Sequence, residues 1–159
     1  MVARPASAQD APYDQVHRLL NAGELGVALS GADDWLAKKP QDPQMRFLRG
    51  VIRQRQGDIE GATNTFQGLI RDHPELPEPY NNLAVIHAAQ GQLAKAREAL
   101  ETAIRLNPQY GTAHRNLGDV YLQMAAESYR AALRAGPDSG NASRQLQAVE
   151  RLLNPSETR

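Results

Sequence analysis

Two asparagines stand side by side in the stretch YNNLAVIHAAQG, which otherwise has the composition of a helix. Asparagine is a poor residue for a helix interior, because its short amide competes for backbone hydrogen bonds. The same amide offers two N–H donors and a carbonyl acceptor, so it can pair with another backbone whatever side chains that backbone carries. Asn116 follows Asn82 at the same interval that separates Gly57 from Gly91. The spacing indicates two amides with a common task.

A second set of polar side chains lies in the stretch PQMRFLRGVIRQRQG. Three of its arginines, at positions i, i+3 and i+7, form one stripe on a helix, and three large apolar residues form another. The arginines are Arg46, Arg49 and Arg53, and the apolar residues are Met45, Leu48 and Ile52. Buried guanidinium groups without partners would each cost several kcal/mol. The helix is therefore predicted to turn so that it buries the apolar stripe.

The residue types that most often carry catalysis or bind metals form no recognisable motif. The chain has four histidines and no cysteine, which excludes disulfides, thiolate catalysis and cysteine-based zinc sites. The HxxxH, HExxH, GxSxG, P-loop and dinucleotide patterns are absent. No spacing supports a metal site shared by His87, His114 and Asp119. We therefore expect a protein that is not an enzyme and that uses no metal or cofactor.

Composition narrows the class of partner and of fold. Eighteen Lys and Arg offset eighteen Asp and Glu, so no net field draws the chain to nucleic acid or to an anionic membrane. No run of about 18 apolar residues is present, so no membrane span is predicted. Aromatic residues make up only 5%, while alanine and leucine are plentiful. This balance favours closely packed helices over a sheet.

The chain repeats itself at an interval of about 34 residues. Three kinds of marker recur at this interval without a slip. They are Gly23, Gly57 and Gly91, then Ala28, Ala62 and Ala96, then Pro40, Pro74 and Pro108. The glycine ends a first helix, the alanine lets two helices approach closely, and the proline stops the second helix. The predicted helix pairs are 11–22 with 25–38, 43–56 with 59–72, and 77–90 with 93–106.

This pattern resembles the tetratricopeptide repeat (TPR) family over about residues 9–137. The family pattern is an aromatic, Leu-Gly and Tyr, followed by Ala, an aromatic or Leu, and Pro. The third repeat supplies Tyr80, Leu83, Ala84, His87, Ala96, Leu100 and Pro108, and the fourth begins with His114, Leu117, Gly118 and Tyr121. The resemblance implies an all-α fold, a right-handed superhelical stack of helix-turn-helix repeats. It also implies that His87 and His114, at aromatic positions, pack between paired helices.

The resemblance makes the concave inner wall, lined by the first helix of each pair, the candidate binding site. In one member of the family, asparagines on this wall grip peptide backbone, so Asn82 and Asn116 become candidate contacts to an extended peptide. Asn81 lies one step further round and is expected to meet solvent or the groove floor. Arg115 and Asp119, close to Asn116, complete this set. The alternative is that both amides cap or bridge repeats structurally.

The predicted rotation of the arginine helix would swing Arg46 and Arg53 towards the same wall. Arginines beside amides would suit an acidic peptide or one that ends in a carboxylate. The alternative is a solvated face on which the arginines pair with local Asp and Glu. The clamp of chaperone-binding TPR domains is not predicted, because only Asn82 matches its five positions by type. Those positions hold Phe47, Val51, Asn82, Thr112 and Asn116.

The repeat breaks after the third proline. The stretch from Pro108 to Pro137 is shorter than the stretch from Pro74 to Pro108, and no Gly or Pro stands between Gly118 and Gly136. The missing residues are those that would form the turn. We predict one continuous helix over 112–135, where an ordinary repeat would fold back.

A last helix is predicted over 140–153, as a cover for the final repeat. Its inward residues are expected to be Leu146, Val149, Leu152 and Leu153. The predicted organisation is a disordered 1–8, a TPR array over 9–137, a capping helix within 138–154 and a disordered 155–159.

The predicted function is a non-catalytic scaffold that docks a peptide or protein along the inner groove. The alternative is an assembly protein that self-associates through that groove as a homodimer. Ala6-Ser7-Ala8 has the small-x-small form that follows an export leader, and some bacterial exported TPR proteins carry a similar third and fourth repeat. A periplasmic location is therefore expected, with a leader absent from this sequence. A cytoplasmic location is the alternative.

Overall fold

The computed structural model describes residues 11–136 and 140–154, over which the chain forms eight helices and no strand. They are α1 (Ala11–Asn21), α2 (Leu25–Lys38), α3 (Pro43–Gln56), α4 (Ile59–Asp72), α5 (Pro77–Ala89), α6 (Leu93–Leu106), α7 (Gly111–Ala135) and α8 (Asn141–Leu153). The predicted all-α fold of stacked helix-turn-helix pairs is confirmed, and the ends of the six paired helices agree with prediction to within one residue. The segments 1–8 and 155–159, predicted to be disordered, lie outside the described residues.

In each of the three helix pairs, one glycine reverses the chain. Gly23, Gly57 and Gly91 have φ angles of 77°, 83° and 71°, in the left-handed region that other residues adopt only with strain. After each glycine, the next backbone N–H donates to the carbonyl five residues earlier, which satisfies the helix end. These bonds run from Glu24 to Leu19, from Asp58 to Arg53 and from Gln92 to His87, over 2.9, 3.0 and 2.9 Å. The predicted role of the glycines is confirmed.

The chain divides into two compact units at a point within α5, between Asn82 and Leu83. The first unit contains α1 to α4 and the beginning of α5. Its core contains Val16, Leu20, Ala28, Ala32, Leu36, Met45, Leu48 and Ile52. Met45, Leu48 and Ile52 are at most 3% exposed. The predicted burial of the apolar stripe of α3 is therefore confirmed.

The packing of α3 against α4 depends on a pair of residues of opposite size. Phe66 of α4 is fully buried, and Gly50 of α3 leaves the space that its ring occupies. A Cβ atom at Gly50 would lie 2.6 Å from Cε1 of Phe66, which no real contact allows. One period later the corresponding residues are Ala84 and Leu100. The second repeat therefore uses a larger residue in α4 and a smaller one in α3.

The second unit contains the rest of α5 together with α6, α7 and α8. Helix α7 runs for 25 residues without a turn, as predicted. Helix α8 packs against α7, and an ion pair joins Arg130 Nη2 to Glu150 Oε1 over 2.6 Å. The predicted covering helix is thus confirmed.

One predicted detail of α8 is wrong. Leu152 is 65% exposed, whereas Leu146, Val149 and Leu153 are partly buried. Consecutive residues of a helix point about 100° apart. The side of α8 that packs on α7 therefore includes Leu153 but leaves most of Leu152 exposed.

Candidate functional site

An open cleft of about 330 Å³ lies within the second unit, between the second half of α5 and α7. One wall is apolar and small and consists of Val85, Ala88 and Ala89 of α5. The opposite wall is polar and consists of Asn116, Asp119 and Gln123 of α7. The remaining lining comes from Ala84, Leu100 and Val120, which are all buried. We refer to this feature as the α5/α7 cleft.

Helix periodicity explains why each wall has one character. Asn116, Asp119 and Gln123 stand at i, i+3 and i+7, which places them along one face of α7. Asn116 and Gln123 are half-buried, and Asp119 is exposed. Asp119 forms no ion pair with any residue in the described part of the chain. The α7 wall therefore places along the cleft two amides and one carboxylate that forms no ion pair in the described part of the chain.

Two of the predicted site residues line this cleft. They are Asn116 and Asp119. Arg115 is exposed and stands outside the lining residues, because one residue along a helix turns a side chain by about 100°. Gln123 was missed, although its position seven residues after Asn116 was the signal that could have found it.

The asparagine pair of α5 is split between two environments. Asn82 is half-buried, and its Nδ2 donates to the carbonyl oxygen of Glu78 over 3.0 Å. That bond lies within its own helix and joins no second repeat, so it does not decide between the groove contact and the structural alternative. Asn82 belongs to the first unit and Asn116 to the second. A wall shared by the two amides stays a prediction.

Asn81 is only 5% exposed, so it does not meet solvent, and its expected alternative position on the groove floor stays a prediction. A rotation of about 100° per residue is enough to bury Asn81 while Asn82 stays half-buried. Its amide is not without a partner, as the cost of burying an unsatisfied polar group requires.

Three of the four arginines of α3 are paired with aspartates of the first unit. Arg46 Nη2 lies 2.8 Å from Asp72 Oδ2, Arg49 Nη1 lies 3.3 Å from Asp33 Oδ1, and Arg53 Nε lies 3.8 Å from Asp58 Oδ2. The hydrogen bond from Arg46 holds the pKa of Asp72 below its ordinary value, against a smaller opposing effect of desolvation. These pairs agree with the alternative of local pairing. A position of Arg46 and Arg53 on a groove wall stays a prediction.

Asp42 forms a polar centre that sequence reasoning missed. Its carboxylate accepts hydrogen bonds from Tyr13 Oη, from Trp35 Nε1 over 2.8 Å and from the backbone N–H of Met45 over 3.0 Å. It thereby caps α3 and ties it to α1 and α2. Burial acts to raise the pKa of Asp42, but the bonds from Tyr13, Met45, Trp35 and the Gln44 backbone outweigh it and lower the pKa below 3.8.

The first unit has a cleft of its own, of about 350 Å³. It is lined by His17, Pro43, Gln44, Phe47, Leu48, Leu76, Glu78 and Pro79. None of the predicted site residues is among them. We refer to this feature as the α1/α3 cleft.

The histidines do not form a site. His114 is exposed, and its Nε2 lies 2.9 Å from the carbonyl oxygen of Pro108, so the expectation that it packs between paired helices is wrong. The carbonyl fixes the ring at the start of α7 instead. His87 is half-buried, with Nδ1 2.9 Å from Gln92 Oε1.

Two other kinds of site are absent from the residues that the structure describes. Among them, no three His, Cys, Asp or Glu side chains converge as metal ligands would. None of the described helices combines the length and the apolar character of a membrane-spanning segment.

Paired helices that repeat at a fixed interval define a helical repeat protein, and the family follows from the sequence matches. A family model described as tetratricopeptide repeat matches residues 13–77 and 52–98, which together cover more than half of the chain. Another, described as TPR repeat, matches residues 86–124. The chain belongs to the TPR family.

Relatives and solved structures resemble the chain to different extents. A protein of Pseudomonas putida named probable biofilm formation methyltransferase WspC is 31% identical over 112 residues, or 66% of this chain. The chain spans only 26% of the length of that relative.

Two solved structures share the fold. TTC0263, a thermophilic TPR protein of Thermus thermophilus, is 24% identical, with a TM-score of 0.69 over 96% of this chain and 84% of that one. The first TPR of Spaghetti (RPAP3), bound to the HSP90 peptide SRMEEVD, is 15% identical, with a TM-score of 0.65 over 72% and 91% of the two chains. At these identities the likeness concerns the fold alone.

Proposed function

We propose that this chain is a non-catalytic interaction scaffold that binds a peptide or protein segment in the α5/α7 cleft. The observation that carries the proposal is the pairing of an apolar wall with a polar one across an open cleft. Val85 is 39% exposed on the first wall, and Asn116 and Gln123 stand on the second. Protein recognition sites combine apolar anchoring with a few placed hydrogen-bonding groups in this way.

The two amides suit a polypeptide ligand. Each carries two donors and one acceptor, which match the acceptor and donor of a peptide unit. The small side chains Ala88 and Ala89 leave room for a chain to lie against α5. Membership of the TPR family supports the proposal, because TPR domains typically mediate protein–protein interaction. So does the peptide bound to the first TPR of Spaghetti, a structural neighbour.

Other predictions remain proposals beside this one. An acidic or carboxylate-ended partner was predicted from Arg46 and Arg53, and peptide selection tests it. Self-association predicts a dimer whose fraction rises with concentration in light scattering. A periplasmic location, with a cytoplasmic one as the alternative, depends on Ala6-Ser7-Ala8, which lies outside the described residues.

The binding proposal can be tested with selected peptides. A phage-displayed library of random peptides is selected against the full chain, and the dissociation constants of the selected peptides are measured by fluorescence anisotropy. The double variant Asn116→Ala, Gln123→Ala should bind them about tenfold more weakly, since each lost hydrogen bond contributes about 0.5–1.5 kcal/mol.

The matched control is the double variant Gln145→Ala, Gln147→Ala, which removes two exposed amides from α8 and should leave affinity unchanged. Circular dichroism must show equal helix content in all three proteins. Failure to select any peptide, or equal binding by all three proteins, would remove the α5/α7 cleft as the binding site.

A further inference from the structure

The charged residues of the two units differ in what they face. In the first unit, Arg46, Arg49 and Arg53 of α3 have aspartate partners within 4 Å. In the α5/α7 cleft, the single charged lining residue is Asp119. Its helix neighbour Arg115, four residues earlier, forms no ion pair with it in the described part of the chain. The charge that this cleft presents to a ligand is therefore negative.

The neighbours of Asp119 make the cleft more selective than a lone carboxylate. Asn116 and Gln123 stand one turn to either side of Asp119 on α7. Across the cleft, Val85, Ala88 and Ala89 form a wall without polar side chains. A ligand that covers these apolar atoms would displace water beside the carboxylate, which would strengthen its attraction to a cation.

A lysine or arginine side chain matches both walls at once. Its methylene stem covers apolar surface while its charged head stays with a polar group. The α5 wall would receive the stem, and the Asp119 carboxylate would receive the head through a charge-assisted hydrogen bond. An acidic side chain in the same place would meet like charge and would desolvate Asp119 without compensation.

We propose that the α5/α7 cleft selects a partner segment that carries a lysine or arginine. The head group pairs with Asp119, the stem lies on Val85, Ala88 and Ala89, and the amides of Asn116 and Gln123 hold the segment's backbone. This inference rests on the proposed function of the cleft. It reverses the sequence-based expectation of an acidic partner, because the arginines behind that expectation are paired within the first unit.

The selected peptides provide the test. They should be enriched in Lys and Arg, and replacing that residue by norleucine should weaken binding about two- to fivefold, since an exposed ion pair contributes up to about 1 kcal/mol. Asp119→Asn, which keeps the side-chain shape, should weaken the parent peptide to the same extent and leave the norleucine peptide unaffected. The gap between the two peptides should shrink as salt rises.

A charge reversal gives a second readout. Asp119→Lys should bind the peptide in which Lys is replaced by Glu better than the parent peptide. The matched control is Glu127→Gln, which removes an exposed carboxylate from the same helix outside the cleft. It should change the affinity neither for the parent peptide nor for the peptide in which Lys is replaced by Glu.

The outcomes separate the two proposals. Suppose that the selected peptides lose affinity on the double change Asn116→Ala, Gln123→Ala but show no basic preference and no response to Asp119→Asn. This result would overturn the inference and leave the α5/α7 cleft as the binding site. Selected peptides that are acidic overturn it too. If Ala89→Trp, which fills the cleft from an exposed position, leaves all binding unchanged, both proposals fail.

Discussion

The two units of this chain use the same repeat but place their polar residues differently. In the first unit, Asp42 and the α3 residues Arg46, Arg49 and Arg53 bond to other residues of the same unit. In the second, Asp119 and Gln123 of α7 line an open cleft, and neither side chain makes a hydrogen bond or ion pair within the described part of the chain. Polar groups bonded internally stabilise a fold, whereas open ones are available to a partner. The comparison therefore indicates a structural role for the first set and supports the proposed binding role of the second.

Packing supplies the largest expected contrast. Gly50→Ala should lower the free energy of unfolding by about 1–3 kcal/mol, because the added Cβ would meet the buried ring of Phe66. This loss should exceed the gain of about 1 kcal/mol in helix propensity. Urea unfolding followed by circular dichroism measures it.

A second change sharpens this contrast between repeats. Adding Phe66→Leu to Gly50→Ala recreates the pair that the third repeat carries, Ala84 with Leu100, and should recover part of the loss. The control is Gly26→Ala in α2, where a Cβ has nothing within 4 Å, and it should be neutral or stabilising. A Gly50→Ala variant as stable as wild type would contradict the size-matching of this pair.

The Asp42 centre should give the next effect. Asp42→Ala should cost about 1–2 kcal/mol, the usual value of a lost N-cap. Since the folded pKa of Asp42 lies below 3.8, its charge stabilises the fold fully above that value, and this contribution disappears as pH falls through the lower folded pKa. Thermal unfolding of both proteins across this pH range should show their difference shrinking towards low pH.

The control for the pH series is Asp34→Ala, which removes an exposed carboxylate from α2. It should leave the thermal unfolding midpoint equal to that of wild type at both ends of the pH range. A difference between Asp42→Ala and wild type that grows as pH falls would show that the carboxylate does not stabilise the first unit as an anion.

Changes to Arg46, Arg49 and Arg53 should have the smallest effect on stability. They should also separate stability from peptide binding most clearly. Arg46→Gln breaks the pair with Asp72, so we expect a slightly lower thermal midpoint and unchanged peptide affinity. Asp119→Asn should show the reverse, with weaker peptide binding and an unchanged midpoint. A loss of peptide affinity in Arg46→Gln would instead place that arginine in the binding site and restore the expectation of an acidic partner.

The regular features of the fold could be predicted because each depends on neighbours in sequence. A glycine that ends a helix, a proline that stops one, and a last interval between prolines that is too short to hold a turn are local signals. They were enough for the helix ends and for the uninterrupted α7. Burial of Met45, Leu48 and Ile52 also followed, because the competing choice would have buried three guanidinium groups.

Side-chain partners were harder to predict. Asp42 joins residues 29 positions and 7 positions away in the chain, and no period of the sequence indicates such a bond. His114 is exposed although it was expected to pack between helices as His87 was, because Pro108 supplies a carbonyl for its ring. Of the candidate site, Asn116 and Asp119 were predicted, and Gln123 was not.

The amino-acid sequence alone determined the repeat length, the helix boundaries and the family, since these depend on backbone conformation and on periodic burial. Only the tertiary structure decided which charges are left for a ligand. Whether a carboxylate or a guanidinium finds a partner depends on which helices pack together and on how each helix is rotated about its axis. Neighbouring residues point about 100° apart, so a small rotation changes which side chain faces a neighbouring helix. For this reason Arg46, Arg49 and Arg53, which are prominent in the sequence, are paired with aspartates. The less conspicuous Asp119 is the charged residue that lines the α5/α7 cleft.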